Sequence, residues 1–142
     1  MEAPSPNEPP KPRILIVEDN ADDGELLMRQ LKKARLGDHV KVIRDGSQAI
    51  QFLTDATSGA GHLIAMFLDL QLPSLDGLSV LEQVRAHESI CRLPVIVMTS
   101  SNSQEDLHRC RVLGVSSYVQ KPVTFSAFTK AVADTFHVVR PR

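Results

Sequence analysis

The sequence lacks the features that mark secreted, membrane-spanning or nucleic-acid-binding proteins. Its two cysteines, Cys91 and Cys110, are far apart and fit neither a disulfide framework nor a metal motif, so a reducing, cytoplasmic setting is expected. The net charge is −1, with 16 basic and 17 acidic residues, which gives no electrostatic reason to expect nucleic acid or an anionic membrane as a partner. No apolar run exceeds strand length and no secretory signal opens the chain, so no membrane span or export is predicted.

The 142 residues are about the length of one domain. Residues 1–12 contain five prolines and almost nothing apolar, a composition that predicts a disordered N-terminal tail. The ordered domain is predicted to occupy residues 13–142. Its five histidines are scattered without the spacing of metal ligands, so they predict no metal site.

Short β-branched runs alternate with segments of helical periodicity along the ordered part. Strands are predicted at residues 14–17, 40–43, 64–68 and 95–98, and around 118–119. Helices follow each strand, and Asn20 and Ser103 are placed to cap the first and fourth of them. Five strands alternating with five helices predict an α/β fold: a parallel sheet with right-handed crossovers and helices on both faces. In a flavodoxin-like, doubly wound sheet the strand order would be 2-1-3-4-5.

Polar residues end four of the five predicted strands. They are Glu18-Asp19, Asp69, Thr99-Ser100 and Lys121. Open parallel sheets bind ligands at the carboxyl ends of their strands, where the strand order reverses, and that point lies between the first and third strands. Glu18-Asp19 alone would be typical of an ordinary loop. The sequence becomes informative because all four groups are predicted to lie at one edge.

Three carboxylates in close proximity, Glu18, Asp19 and Asp69, remain ionised near neutral pH only with a cation between them. Oxygen ligands of this kind suit Mg²⁺, while Lys121 supplies a positive charge for a phosphate oxygen. Thr99 and Ser100 add hydroxyl and backbone donors. A metal, a lysine, hydroxyl groups and a carboxylate nucleophile together predict phosphoryl transfer onto Asp69.

Five segments of the chain together resemble the receiver domain of two-component response regulators. They are ILIVEDN, IRDGSQAI, FLDLQLPSLDG, PVIVMTSSNS and GVSSYVQKPV, and the resemblance runs from about residue 13 to residue 136. It implies a signalling protein that catalyses only its own phosphorylation and dephosphorylation and acts on no separate substrate. It also implies phosphorylation by a sensor histidine kinase.

The resemblance assigns a role to each residue of the predicted site. Asp69 would be the phosphoacceptor. Asp19 and Asp69 would ligate Mg²⁺ directly, Glu18 through water, and Gln71 through its backbone carbonyl. Lys121, Thr99 and Ser100 would contact the phosphoryl group, Thr99 and Tyr118 would form the switch, and the peptide bond before Pro122 would be cis.

A narrower resemblance links VEDNADD, the glycine-containing loop before the third strand and SSYVQKPVTFSAF to single-domain regulators that work with phytochrome-type histidine kinases. No DNA-binding domain is expected after the last helix. Output would therefore be protein–protein contact or phosphoryl relay. One such contact would be a homodimer through the fourth helix (about 103–113), the fifth strand and the fifth helix (about 124–136).

Two other functions are compatible with parts of the pattern. A metal-dependent phosphatase of the aspartyl-phosphate type would also use Asp69, but such enzymes typically have a second acid two residues later, where this chain has Gln71. An interaction domain that is never phosphorylated would have no need of the acid set, Thr99 and Lys121.

Overall fold

The computed structural model describes residues 11–136. Most of the predicted tail, residues 1–10, lies outside the described residues, as do residues 137–142. The elements, in chain order, are β1 Ile14–Val17, α1 Ala21–Lys33, β2 Val40–Ile43, α2 Gly46–Thr54, a 3₁₀ turn Ala60–His62, β3 Ala65–Asp69, α3 Gly77–Ala86, β4 Val95–Thr99, α4 Gln104–Val112, β5 Ser117–Gln120 and α5 Phe125–Phe136.

The five strands form one parallel sheet in the order β2-β1-β3-β4-β5, which confirms the predicted fold. The glycine-containing loop before β3 is not all loop, because the 3₁₀ turn begins at Ala60. β3 lies one residue later than the predicted 64–68 and β4 ends one residue later than predicted, so that Asp69 and Thr99 are the last residues of their strands. Both side chains are therefore held by the sheet.

Short polar side chains begin the helices. The side chains of Asn20, Asp45, Asp76 and Ser103 each accept a hydrogen bond from a backbone N–H three residues later, as expected of N-cap residues. Gly114 follows the C-cap residue of α4 and has a φ of +69°, the left-handed conformation that glycine adopts without steric cost. These caps fix where each helix starts relative to the strand before it.

Two apolar layers cover the sheet. One lies under α2, α3 and α4 and includes Leu53, Leu81 and Cys110. The other lies under α1 and α5, where Phe128 stacks on Phe67 with ring centroids 5.9 Å apart. The chain has no tryptophan and a single tyrosine. The three central strands are buried throughout, so only their carboxyl ends can present polar groups.

Arg85, in the last turn of α3, joins three parts of the fold through backbone carbonyls. Its guanidinium donates hydrogen bonds to the carbonyl oxygens of Leu113 at 2.7 Å, Leu93 at 2.7 Å, Cys91 at 3.2 Å and Gly114 at 3.2 Å. Burial lowers the pKa of this guanidinium from its ordinary value. The side chain thereby ties α3 to the end of α4 and to the segment that leads into β4.

Among residues 11–136, no helix has the length and apolar character needed to cross a membrane.

Candidate functional site

Three carboxylates meet at the carboxyl ends of β1 and β3. One oxygen from each of Glu18, Asp19 and Asp69 lies within 4.8 Å of the others. Glu18 is 2% exposed and Asp69 3% exposed, whereas Asp19 is exposed to solvent. The cluster therefore has one open side through which a solvated cation could enter.

Close backbone packing at Gly77 orients Asp69. The Gly77 N–H donates to the carbonyl oxygen of Leu70 at 2.8 Å, and a Cβ atom on Gly77 would lie 2.2 Å from the carbonyl oxygen of Asp69. The Asp69 carboxylate accepts a hydrogen bond from the Gln71 N–H at 2.9 Å through Oδ1. Its other oxygen, Oδ2, faces Lys121.

The ammonium group of Lys121 binds three carboxylates. It donates to Asp69 Oδ2 at 2.9 Å, to Asp23 Oδ2 at 3.0 Å and, in a close contact, to Glu18 Oε1. Burial by itself lowers the pKa of Lys121, but the three carboxylates together outweigh burial and raise the pKa above its ordinary value. Lys121 is therefore positively charged at the position where it meets Asp69.

Burial has the opposite consequence for Glu18. Burial, together with the neighbouring Asp69, raises the pKa of the Glu18 carboxyl from 4.5 to about 7, and the opposing effect of the Lys121 ammonium is too small to cancel this rise. In the absence of a cation, Glu18 therefore holds a proton over part of the neutral pH range. A divalent cation would neutralise the remaining negative charge of this cluster.

Hydrogen bonds to the backbone of Ser101 connect the two predicted switch residues, Thr99 and Tyr118. Thr99 is fully buried, and its hydroxyl oxygen accepts a hydrogen bond from the Ser101 N–H at 3.0 Å. The Tyr118 hydroxyl donates to the Ser101 carbonyl oxygen at 3.1 Å. The two backbone groups of Ser101 therefore link Thr99 on β4 to Tyr118 on β5.

An open cleft at this edge brings most of the predicted residues together. Ser100 donates from Oγ to the side-chain oxygen of Gln71 at 2.9 Å, which joins the loops after β3 and β4. The Lys121–Pro122 peptide bond is cis. The cleft is lined by Asp19, Asn20, Ala21, Asp23, Asp69, Gln71, Ser100, Lys121 and Pro122. Three of the predicted residues, Glu18, Thr99 and Tyr118, lie outside this lining.

Sequence reasoning did not place Asp23 in the cleft. An acidic side chain in the first turn of a helix is explained by the helix dipole alone, so it indicates no further contact. The Asn20 cap fixes the start of that helix, and the third residue after the cap consequently reaches Lys121. The capping pattern in the sequence could have placed Asp23 near the strand end, although not within bonding distance of Lys121.

Comparison with known proteins agrees with this geometry. The model of the family described as the response regulator receiver domain matches residues 14–133. The probable methanogenesis regulatory protein FilR2 of Methanothrix harundinacea (strain 6Ac) is 36% identical over 122 residues, which span 85% of this chain and 79% of FilR2.

Two solved structures are also similar. The bacteriophytochrome response regulator RtBRR is 40% identical, with a TM-score of 0.77, over 88% of this chain and 78% of that one. The Mn(2+)-bound form of response regulator Rcp1 is 28% identical, with a TM-score of 0.75, over 94% of this chain and 98% of that one. With the family model matching residues 14–133 and the sheet order and carboxylate cluster in agreement, this chain belongs to the response regulator receiver domains of two-component signalling.

Proposed function

We propose that the chain accepts a phosphoryl group on Asp69 from a phosphohistidine of a sensor histidine kinase and thereby changes its contacts with other proteins. One observation carries the proposal: a buried carboxylate at a strand end lies between the Lys121 ammonium and an acid pair, at the mouth of an open cleft. The alternative of a phosphatase is not favoured, because Gln71 offers no acid and its side chain is bonded to Ser100.

In the proposed transfer, one carboxylate oxygen of Asp69 attacks phosphorus. A bond forms between that oxygen and phosphorus, and the bond from phosphorus to the histidine nitrogen breaks, with its electron pair leaving on the nitrogen. Lys121 stabilises negative charge on the phosphoryl oxygens, since its ammonium already lies 2.9 Å from Asp69 Oδ2. The Gln71 N–H holds the other oxygen of Asp69 in place.

Mg²⁺ is the proposed cofactor, since all the available ligands are oxygen atoms. Asp19 and Asp69 would bind it directly, Glu18 through water, and Gln71 through its backbone carbonyl. When bound, the ion would neutralise the acid cluster and the charge on the phosphoryl group. The similarity to an Mn(2+)-bound form of response regulator Rcp1 supports a divalent cation as the cofactor of this chain.

Thr99, Ser100 and Tyr118 are proposed to convert phosphorylation into a change of surface. A phosphoryl group on Asp69 would offer the Thr99 hydroxyl a stronger, charged acceptor. Thr99 at present accepts from the Ser101 N–H, so its movement would disturb the Ser101 carbonyl that holds Tyr118. Ser100 would contact the phosphoryl group from the opposite loop.

The likeness to RtBRR supports a phytochrome-type kinase as the phosphoryl source. The proposed output surface is α4, β5 and α5, which lies beside Tyr118. Through this surface the protein would form a homodimer.

Acetyl phosphate with Mg²⁺ tests the proposed chemistry. The intact mass of the wild type should rise by one phosphoryl group, Asp69→Asn should abolish the rise, and removal of Mg²⁺ with a chelator should do the same. Asp38→Asn, in an exposed loop, removes the same charge and should label like the wild type. Full labelling of Asp69→Asn would show that the acceptor lies elsewhere.

A further inference from the structure

All three hydrogens of the Lys121 ammonium are occupied by carboxylates: Glu18, Asp23 and Asp69. Glu18 and Asp69 also belong to the set whose oxygens could hold a metal ion, together with Asp19. Asp23 does not. Lys121 therefore has two acceptors that a cation would compete for and one that it would not.

The position of Asp23 is fixed by its helix. Its backbone N–H donates to the Asn20 side chain at 3.0 Å, which holds it in the first turn of α1. Further along the same helix, the Gln30 side-chain amide donates to the Val123 carbonyl oxygen at 2.7 Å, two residues after Lys121. α1 thus holds both the backbone of this segment and the ammonium group at its start.

Binding of a cation and a phosphoryl group would remove two of the three bonds. Glu18 and Asp69 would turn their oxygens toward the cation, and an Asp69 oxygen would become bonded to phosphorus. Two hydrogens of the ammonium would then be free for the phosphoryl oxygens, which supply the acceptors that the acids no longer provide. A flexible lysine left without any fixed partner would lose conformational freedom on binding the phosphoryl group.

We propose that Asp23 is a positioning residue that keeps Lys121 aimed at Asp69 when the cation and the phosphoryl group occupy the site. This role rests on the proposed phosphorylation of Asp69. It assigns Asp23 a function that is separate from metal ligation and from the helix dipole. The Lys121 side chain is 13% exposed and the Asp23 side chain 39% exposed, so the ion pair is partly open to solvent.

The test compares the binding of beryllium fluoride, a mimic of the phosphoryl group, in the presence of excess Mg²⁺. Asp23→Asn should weaken binding about two- to fivefold, the range for an ion pair that is partly open to solvent. Asp23→Glu retains a carboxylate on the same helix turn and should recover part of the loss.

Asp22→Asn is the matched control. Asp22 lies in the same helical turn and has no ion pair among residues 11–136. Its substitution by Asn removes the same charge as Asp23→Asn. This variant should bind beryllium fluoride like the wild type. A loss shared by both variants would indicate an effect of charge or of the helix dipole and would overturn the assignment.

A second measurement observes the ammonium group directly. In the wild type with Mg²⁺ and beryllium fluoride, the NMR signal of the Lys121 ammonium protons should be protected from exchange with water, and in Asp23→Asn it should broaden. Equal or tighter binding by Asp23→Asn, with an unchanged signal, would overturn the proposal. A wild type that binds no beryllium fluoride would instead reject the proposed function, and the role of Asp23 would fall with it.

Discussion

Gly77 allows the start of α3 to pack closely against the backbone of Asp69 and Leu70. A Cβ atom at this position would lie 2.2 Å from the Asp69 carbonyl oxygen and 2.5 Å from the Leu70 Cα, both backbone atoms that cannot rotate away. Gly77→Ala should therefore destabilise the protein by about 1–3 kcal/mol, as overpacking does elsewhere. It should also slow labelling of Asp69 by acetyl phosphate.

Urea unfolding and the labelling rate measure both effects. Gly61→Ala is the control, since a Cβ atom there meets nothing within 4 Å. Equal stability of the two variants would show that the loop after Asp69 adjusts without cost.

Glu18 should make the metal-free protein less stable as the pH rises. Its pKa is raised from 4.5 to about 7, so between these values the folded state binds more protons than the unfolded state. The stability contributed by the protonated carboxyl is complete below about 4.5 and is lost as the pH rises through about 7. Lys121, whose pKa is raised, retains its contribution throughout this window.

Thermal unfolding at about pH 5 and about pH 8 without metal checks this sign. The wild type should lose more stability across the interval than Glu18→Gln, which cannot titrate at this position. Mg²⁺ should restore more stability at the higher pH, because it binds the ionised carboxylate. A difference between wild type and variant that does not change with pH would contradict the raised pKa.

The residues at strand ends were predictable from the sequence, and the residue that reaches them from a helix was not. A strand that is buried on both faces must end where the chain becomes polar, so Asp69 and Thr99 were placed within one residue. The contact between Asp23 and Lys121 depends on how α1 lies against the sheet. Side-chain periodicity reports which face of a helix is buried, but not how far a side chain at its end extends.

Arg85 connects α3 to the end of α4 and to the segment before β4 through backbone carbonyl groups. Arg85→Met would preserve much of the aliphatic stem but leave carbonyl oxygens of Leu93 and Leu113 without their donors. We expect a loss of about 1–3 kcal/mol in the free energy of unfolding, the cost of leaving buried polar groups unpaired.

Arg92→Met is the matched control for this prediction. Arg92 is exposed and makes no side-chain hydrogen bond among residues 11–136. Urea denaturation of both variants would separate loss of the carbonyl contacts from loss of a positive charge. Similar destabilisation of the two variants would show that the hydrogen bonds from Arg85 to backbone carbonyls do not stabilise the fold. This role could not be predicted from the sequence, since an arginine in a last helical turn is usually solvated.

Across the protein as a whole, phosphorylation should alter self-association through α4, β5 and α5. On α4, Arg109 forms a close contact with Glu82 on α3 of its own chain. His108, Arg111, Lys130 and Asp134 remain exposed, and Val112 on α4 is 71% exposed. We expect a dimer that is weak alone and tighter with beryllium fluoride and Mg²⁺.

Sedimentation at several concentrations, with and without the mimic, measures this change. Val112→Ser should weaken the dimer, whereas Val42→Ser, on the opposite edge of the sheet and 41% exposed, should not. A monomer in both states would remove self-association and leave a different partner protein as the output.

The single tyrosine, Tyr118, is an intrinsic fluorescent probe of the protein. Because no tryptophan is present to dominate emission, near-ultraviolet fluorescence arises from Tyr118 and weakly from the phenylalanines. The Tyr118 hydroxyl is bonded to the Ser101 carbonyl, and burial raises its pKa above the ordinary value. A change in emission on addition of beryllium fluoride and Mg²⁺ would therefore report on the surroundings of Tyr118, and its time course would give the rate of that change without any attached dye.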